Sequence, residues 1–314
     1  QRKQSILWFL LLSDEPRVTE RIGKVALIGP GAVGSYYGSL LFLSGIEIHF
    51  LFRSSYSLVK SKGLTIIRHA ERGRKEVVYP LHAHRDSSSI GICDWVIIAT
   101  KATANGKLPG IIGSLVGKHT KFLTLQNGMG NVESLASDFG KKRTILGGLC
   151  FTCINRTSPN IIESHLPGYI QFGQLGQKLN PEAESMVRTF ETAGVRVKRA
   201  ESLEEALWHK LCWNIPFNGI AIAAGGITTD LILANPDHKK RAHALMQEVR
   251  MIALSHGISI EHSFLTRQFE LTEPMGPYKP SSLVDFLDDK PVEVEAIWGE
   301  ALRRGRSKGV RINE

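Results

Sequence analysis

The stretch at residues 24–38 reads KVALIGPGAVGSYYG and organises the N-terminal half of the chain. It predicts a short buried strand, a G-x-G-x-x-G turn and a helix of small and apolar residues from 32 to about 44. Strand, glycine turn and helix in this order are the context of a dinucleotide fingerprint, whereas a bare glycine pattern also occurs in plain βα turns. The turn lets backbone approach a pyrophosphate, and the helix N-terminus offers it free N–H groups. We therefore predict that a dinucleotide cofactor binds at Gly29, Gly31, Ala32, Val33 and Gly34.

Length and composition describe an ordinary globular protein with room for two domains. The chain has 314 residues, of which 42% are hydrophobic, and a formal net charge of +9. Its Lys and Arg residues are spread along the chain rather than clustered among aromatic residues, which argues against nucleic-acid binding. The excess positive charge instead suits anionic ligands, such as a phosphorylated cofactor and a carboxylate substrate.

The chain has four cysteines, Cys93, Cys150, Cys153 and Cys212. This number is too small for a disulfide framework in a chain of this length, so we expect a reducing compartment, the cytoplasm. Cys150 and Cys153 have C-x-x-C spacing, but they fall on a predicted strand and would point to opposite faces. Because zinc would also need a second pair of ligands, we predict that they are buried, small apolar residues.

Residues 1–23 precede the first predicted strand and form an extension of unknown role. The apolar run SILWFLLL at 5–12 resembles the hydrophobic part of a signal peptide, but it is too short to span a bilayer. Asp14, Glu15 and Pro16 follow where a cleavage site would lie. We therefore expect no membrane partner; peripheral membrane contact and a start site placed too far upstream are the alternatives for this segment.

The residue that follows the second predicted strand, at 47–52, distinguishes between the two nicotinamide cofactors. An acidic residue there would bind the ribose 2′-hydroxyl of NAD, whereas an arginine favours the 2′-phosphate of NADP. The sequence has Arg53 at this position, which predicts NADP(H). The alternative is a surface arginine at a strand end.

Two later strands, predicted at 94–100 and 122–125, are also followed by polar residues, Lys101 and Asn127. Ligands of open α/β sheets bind at the C-terminal ends of the strands. We therefore expect Lys101 and Asn127 to converge with Gly29 and Arg53 on one crevice, although either could alone be an ordinary loop residue.

After about residue 200 the sequence reads as helical throughout. The predicted fold class is therefore α/β, with a Rossmann-type dinucleotide-binding domain at 24–199 followed by an all-α domain at 200–314. A cleft between the two domains would hold the substrate.

The predicted helix at 204–224 carries a second group of polar residues, Lys210, Asn214 and Asn218. Spacing of four places them on one helical face, within surroundings that are apolar nearly all round. We expect Pro216 to kink this helix. A buried lysine and two buried asparagines need partners, which a ligand with a carboxylate and a carbonyl would supply. The alternative is a lysine that reaches solvent from a packed helix.

A third stretch, at 279–298, reads KPSSLVDFLDDKPVEVEAIW. Its serines suit a helix cap. Glu293 and Glu295 lie in an otherwise apolar run, so they either pair with Lys210 and tune its protonation or are exposed acids in the first turn of a helix.

These motifs together resemble the ketopantoate reductase family over roughly residues 24–313. The matching segments are IGPGAVGSYYG, the ATKA that contains Lys101, QNGMGN with Asn127, HKLCWNIPFN, and PSSLVDF followed by PVEVEAIWG. The resemblance implies NADPH-dependent reduction of 2-dehydropantoate (ketopantoate) to pantoate in pantothenate biosynthesis. It also implies a small 2-oxo acid as the partner molecule, leaves a homodimer open, and implies a further helical stretch after residue 314, so that the chain is expected to be truncated there.

The resemblance also implies roles for individual residues. Lys210 would be the catalytic proton donor and Glu293 a catalytic carboxylate that positions the network. Asn127, Asn214, Asn218 and Ser282 would bind substrate, Ser282 through its carboxylate. Lys101 and Asn127 would contact the cofactor, and Arg53 would bind the 2′-phosphate. The interval from Ser282 to Glu293 is one residue shorter than the family pattern, so Ser281 is the alternative to Ser282. The competing functions are a reductase or dehydrogenase of another 2-oxo or 2-hydroxy acid, and a non-catalytic NADP-binding sensor.

Overall fold

The computed structural model describes residues 22–313, so the predictions for the N-terminal extension lie almost wholly outside the described residues. The strands, in chain order, are β1 Val25–Ile28, β2 Ile48–Leu51, β3 Leu64–Arg68, β4 Arg74–Val78, β5 His82–His84, β6 Cys93–Ile98, β7 Val116–Thr124, β8 Ile145–Ser158, β9 Ile161–Gln174 and β10 Val197–Arg199.

The helices are α1 Ala32–Leu43, α2 Tyr56–Lys62, α3 Leu108–Ile112, α4 Asn131–Phe139, α5 Pro181–Thr192, α6 Leu203–Ala223, α7 Thr229–Ala234, α8 Pro236–Ser255, α9 His262–Thr272, α10 Ser281–Leu287 and α11 Glu300–Ser307. A π-helical turn, Glu295–Gly299, leads into α11. Within the described residues, no helix is both long and apolar enough to cross a membrane.

All the strands belong to one mixed sheet, whose main path runs β4-β3-β9-β8-β7-β6-β1-β2-β5. The strands from β8 to β5 along this path are parallel, whereas β9 is antiparallel to β8. β1 lies between β2 and β6, so the chain order reverses at β1. Ligands of open α/β sheets bind at such a reversal, which places the expected site at the carboxyl ends of β1, β2 and β6.

The central strands are buried on both faces, as parallel strands covered by helices must be. In β1, Val25 and Leu27 belong to one apolar cluster, and Ala26 and Ile28 belong to another. A third cluster fills the helical region, where α6 packs along α8. The predicted α/β class is confirmed: a Rossmann-type sheet region comes first and a helical region follows.

The last strand ends at Arg199 and α6 begins at Leu203, where the side chain of Ser202 accepts a hydrogen bond from the Glu205 amide. The boundary between the two predicted domains, at residues 199/200, stays a prediction. α6 runs without interruption through Pro216, although that residue has no N–H to donate within the helix.

One prediction about the cysteines is wrong. Cys150 and Cys153 are only half-buried, and both face the same cleft rather than opposite sides. The pairing of β8 with β9 shifts register on both sides of Cys153, and such a bulge re-aims side chains that regular alternation would separate. Both residues are free thiols, as are the fully buried Cys93 and Cys212.

Candidate active site

A large cleft of about 2210 Å³ runs from the carboxyl ends of β1 and β2 to residues of α6 and α10. Most of the site residues predicted from the sequence line it: Gly29, Gly31, Ala32, Val33, Arg53, Lys101, Asn127, Lys210, Asn214 and Glu293. Three predicted residues do not line it: Gly34, Asn218 and Ser282.

The glycine turn has the geometry that its fingerprint predicts. Gly29 has φ +75°, and a Cβ on it would lie 2.4 Å from a carbon of Thr100, so no other residue fits without a shift. Gly34 is buried against Ala99, where a Cβ would approach within 2.8 Å. A Cβ on Gly31, by contrast, would meet no protein atom closer than 3.9 Å. The missing side chain there leaves open space on the cleft side of the turn.

The start of α1 suits a pyrophosphate. Gly31 is its N-cap, no side chain caps the helix, and no acidic residue lies in the first turn. The amides of the first turn have no partner inside a helix, so they remain available to an anion that approaches over Gly31. The residues present therefore fit a dinucleotide cofactor: the fingerprint segment would hold its pyrophosphate.

Lys210 is directed inward from α6 rather than toward solvent. Its Nζ donates to Asn127 Oδ1 at 3.0 Å and to the Cys150 carbonyl oxygen at 2.9 Å, and it lies 5.2 Å from the centroid of the Phe151 ring. Neither hydrogen-bonding oxygen carries a full charge. Burial therefore lowers the pKa of Lys210, while interactions with Cys150 and Glu293 raise it by less. The solvent-reaching alternative is not what the structure shows.

Glu293 also lines the cleft and is 3% exposed. Its Oε1 accepts the Ala102 amide at 2.7 Å, and its Oε2 lies 3.7 Å from Lys101 Nζ. Burial raises the pKa of Glu293, and the Lys101 ammonium and the Ala102 amide oppose that shift. Glu293 and Lys210 influence each other across the cleft but form no direct ion pair among the described residues.

For Glu295 the structure shows the second alternative, an exposed acid in the first turn of a helix, rather than a pair with Lys210. Glu295 is exposed and forms an ion pair with Arg303 at 2.5 Å on the surface. It begins the π-helical turn and does not line the cleft.

Asp285 is a site residue that the sequence analysis missed. It is buried on α10, and its Oδ2 lies 2.5 Å from Lys101 Nζ, so Lys101 is held between Asp285 and Glu293. Both carboxylates come from the helical region, so these contacts tie the end of β6 to it. Asp285 follows Ser281 by four residues, and this helical spacing was the signal available in the sequence.

Asn218 and Ser282 contact each other beneath the cleft wall. Asn218 is 1% exposed; its Nδ2 donates to the Asn214 carbonyl and its Oδ1 accepts the Ser282 amide, both at 2.9 Å. Both bonds stay within the protein, so Asn218 holds the start of α10 against α6. The substrate roles of Asn218 and Ser282 stay predictions. Ser281, the alternative to Ser282, does line the cleft.

The loop that carries Asn127 is fixed by close backbone packing. Gly128 has φ +86°, and a Cβ on it would lie 2.3 Å from the Ala296 carbonyl oxygen. Met129 donates its amide to that same oxygen at 2.8 Å. Asn127 is therefore held against the π-helical turn, within reach of Lys210.

Taken together, the cleft offers a helix N-terminus and an exposed arginine at one end, and a half-buried lysine and a buried carboxylate at the other. An ammonium with a lowered pKa can give a proton to an oxygen that gains charge. The glycine turn lines the same cleft as Lys210 and Glu293, an arrangement that suits transfer of hydride and proton to a carbonyl group.

Comparison with known proteins agrees with this geometry. The model of the family described as Ketopantoate reductase PanE/ApbA matches residues 25–177, and the model of its C-terminal part matches residues 202–313. A 2-dehydropantoate 2-reductase from Nostoc sp. is 33% identical over 295 residues, which cover 92% of this chain and 91% of that protein.

Solved structures give the same picture. The crystal structure of 2-dehydropantoate 2-reductase from Geobacter metallireducens is 35% identical, with a TM-score of 0.87 over 92% of this chain and 95% of that one. A ternary structure of D-mandelate dehydrogenase with NADH and anilino(oxo)acetate is 22% identical, with a TM-score of 0.82 over 92% of this chain and 93% of that one. The second similarity concerns the fold alone.

Proposed function

Because this chain belongs to the ketopantoate reductase family, we propose that it is a 2-dehydropantoate 2-reductase that uses NADPH to reduce ketopantoate to pantoate for pantothenate biosynthesis. The family consists of NAD(P)-dependent oxidoreductases; the substrate, the preference for NADPH and the pathway are the proposed parts. The observation that carries the proposal is the Lys210 ammonium, which is held by Asn127 and the Cys150 carbonyl and lines the same cleft as the glycine turn that would hold a dinucleotide.

In this proposal Lys210 serves as the proton donor. When bound, the reduced nicotinamide supplies a hydride to the ketone carbon. Lys210 stabilises the negative charge that develops on the ketone oxygen and gives up a proton from Nζ. Asn127 and the Cys150 carbonyl hold Nζ in place before the substrate arrives, so little reorganisation is needed at the moment of reaction.

Glu293 and Lys101 are proposed to position the substrate side of the cleft. Lys101 is half-exposed and carries positive charge between Asp285 and Glu293, at the edge where cofactor and substrate would meet. The substrate carboxylate is proposed to lie at the start of α10, where Ser281 lines the cleft, and Asn214 of α6 also lines it. Arg53 would bind the 2′-phosphate of the cofactor, and the free cysteines suit the cytoplasm as the location.

A second candidate is the reduction of a bulkier 2-oxo acid by the same residues. The helical side of the cleft carries large apolar side chains, among them Trp213, Leu271, Met275 and Tyr278. Such a wall would accept a larger apolar substituent than ketopantoate carries. The D-mandelate dehydrogenase structure with its aromatic 2-oxo ligand has the same fold, which motivates including aromatic 2-oxo acids as substrates in the test.

The test is the decrease in NADPH absorbance with ketopantoate and then with a panel of aliphatic and aromatic 2-oxo acids. We expect the highest kcat/KM for ketopantoate. A higher value for an aromatic 2-oxo acid would support the second candidate. NADPH binding without turnover of any member of the panel would contradict both and support a cofactor sensor.

A further inference from the structure

Arg85 emerges beside Arg53 at the edge of the sheet. β5 and β2 are adjacent parallel strands with Leu51 opposite His84, and the Phe52 amide donates to the His84 carbonyl oxygen at 2.9 Å. Arg85 therefore follows β5 directly, as Arg53 follows β2 by two residues. Because adjacent strands lie about 4.8 Å apart, the two arginines leave the sheet side by side.

Both arginines line the cleft at the end that contains the glycine turn. Both are exposed, and among residues 22–313 neither forms an ion pair, whereas Arg68, Arg199 and Arg304 each do. Their charges are therefore not balanced by a carboxylate of the described chain, and they favour an anion in this part of the cleft.

The acidic residue next to Arg85 is engaged elsewhere. The Asp86 carboxylate accepts the Ser88 amide at 2.8 Å, and this hydrogen bond lowers its pKa. Asp86 thus caps the short turn after β5 rather than pairing with either arginine.

The backbone at Arg85 is held on both sides. Ser89 Oγ donates to the Asp86 carbonyl oxygen at 2.7 Å and lies 2.8 Å from Nδ1 of His84. With the strand fixed before Arg85 and the turn fixed after it, the guanidinium starts from a defined point at the cleft edge while its side chain stays free to reach a ligand.

We propose that Arg85 is a second specificity-determining arginine, which binds the 2′-phosphate of NADP(H) together with Arg53. The proposal rests on the proposed NADPH preference. A phosphate monoester carries about −1.5 to −2 charges near neutral pH and three acceptor oxygens, more than one guanidinium can satisfy. Two guanidinium groups from neighbouring strand ends would share these oxygens. Beside a ribose without the phosphate, the two positive charges would stay uncompensated.

The experiment measures nucleotide binding by calorimetry, without turnover. The probes are adenosine 2′,5′-bisphosphate and 5′-AMP, which differ in the 2′-phosphate. We expect Arg85→Ala to weaken binding of the bisphosphate about 5- to 10-fold and to leave 5′-AMP unchanged, with Arg85→Lys in between. Arg267→Ala removes an exposed arginine of α9 outside the cleft and serves as the matched control, with no effect on either nucleotide.

Equal bisphosphate affinities of Arg85→Ala and the wild type, or an equal loss for both nucleotides, would overturn the role of Arg85. If the proposed preference for NADPH is itself wrong, the result differs: the wild type would bind the bisphosphate no better than 5′-AMP. Thermal unfolding of each variant shows that it is folded, and because Arg85 is exposed and unpaired, we expect wild-type midpoints.

Discussion

The two ends of the cleft are built in different ways. The end that we propose for the cofactor consists mostly of backbone from one continuous segment, together with the exposed Arg53 and Arg85, which form no ion pair among the described residues. The end that we propose for catalysis joins segments far apart in sequence: Lys210 Nζ donates to Asn127 Oδ1, and the Ala102 backbone amide donates to Glu293 Oε1. Lys210 is half-buried and Glu293 is buried, and both are hydrogen-bonded and shifted in pKa.

This difference indicates how each end should respond to substitution. At the cofactor end a side chain acts on the ligand through one or two exposed contacts, so its removal changes affinity and leaves the protein folded. At the catalytic end each group also holds its neighbours, so substitutions change turnover and stability together.

Lys210→Ala removes the proposed proton donor. We expect kcat to fall about 10²- to 10⁴-fold with the affinity for NADPH nearly unchanged, because Nζ contacts Asn127 and Cys150 rather than the glycine turn. Steady-state kinetics and a fluorescence titration of NADPH measure the two quantities. Lys141→Ala, an exposed lysine outside the cleft, is the control. Near-normal turnover of Lys210→Ala would exclude the assignment.

Arg53→Ala tests the cofactor end. We expect its NADPH affinity to fall about tenfold with NADH affinity unchanged, since only the 2′-phosphate loses a charged partner. Paired kcat/KM values for NADPH and NADH give the ratio, and Arg267→Ala should leave that ratio as it is. An unaltered preference in Arg53→Ala would show that this end does not recognise the 2′-phosphate through Arg53.

Gly128→Ala tests how the catalytic end depends on backbone packing. A Cβ there meets the Ala296 carbonyl at 2.3 Å, and φ is +86°, so we expect the free energy of unfolding to fall by about 1–3 kcal/mol. Gly106→Ala is the matched control, because its Cβ meets no atom within 4 Å and its φ is ordinary. Urea unfolding measures the free energy of unfolding of both variants. Equal values would mean that the loop around Gly128 adapts to the added Cβ without cost.

Glu293→Gln tests the buried carboxylate through pH, with the smallest expected effect. Burial raises the pKa of Glu293 above its unfolded value of about 4.5, so the folded state holds the proton more tightly. The wild type should therefore lose stability relative to Glu293→Gln as the pH rises from about 4.5 through the folded pKa.

Free energies of unfolding for both proteins across that pH range measure the difference. Glu295→Gln, which changes an exposed acid two residues away, should show no such trend. A difference between the wild type and Glu293→Gln that does not vary with pH would mean that the pKa of Glu293 is not raised.

Local sequence was enough to predict the glycine turn, the strands around it and the shared face of Lys210 and Asn214. Each depends on steric and helical rules that act within a few residues, such as the close approach at Gly34 and the four-residue repeat of a helix. The same rules led to the wrong prediction for Cys150 and Cys153, because a bulge interrupts the alternation of β8.

The remaining features depend on contacts between distant segments, which no local pattern contains. Glu293 pairs with Lys101 rather than Lys210, Asp285 joins that pair, and Asn218 is occupied by the Ser282 amide. Sequence supplies the residue types, because buried polar groups must have partners. The packing of α6 and α10 against the sheet decides which partner each polar group has. A shift of one residue in that packing would bring a different oxygen within hydrogen-bond distance of the same donor.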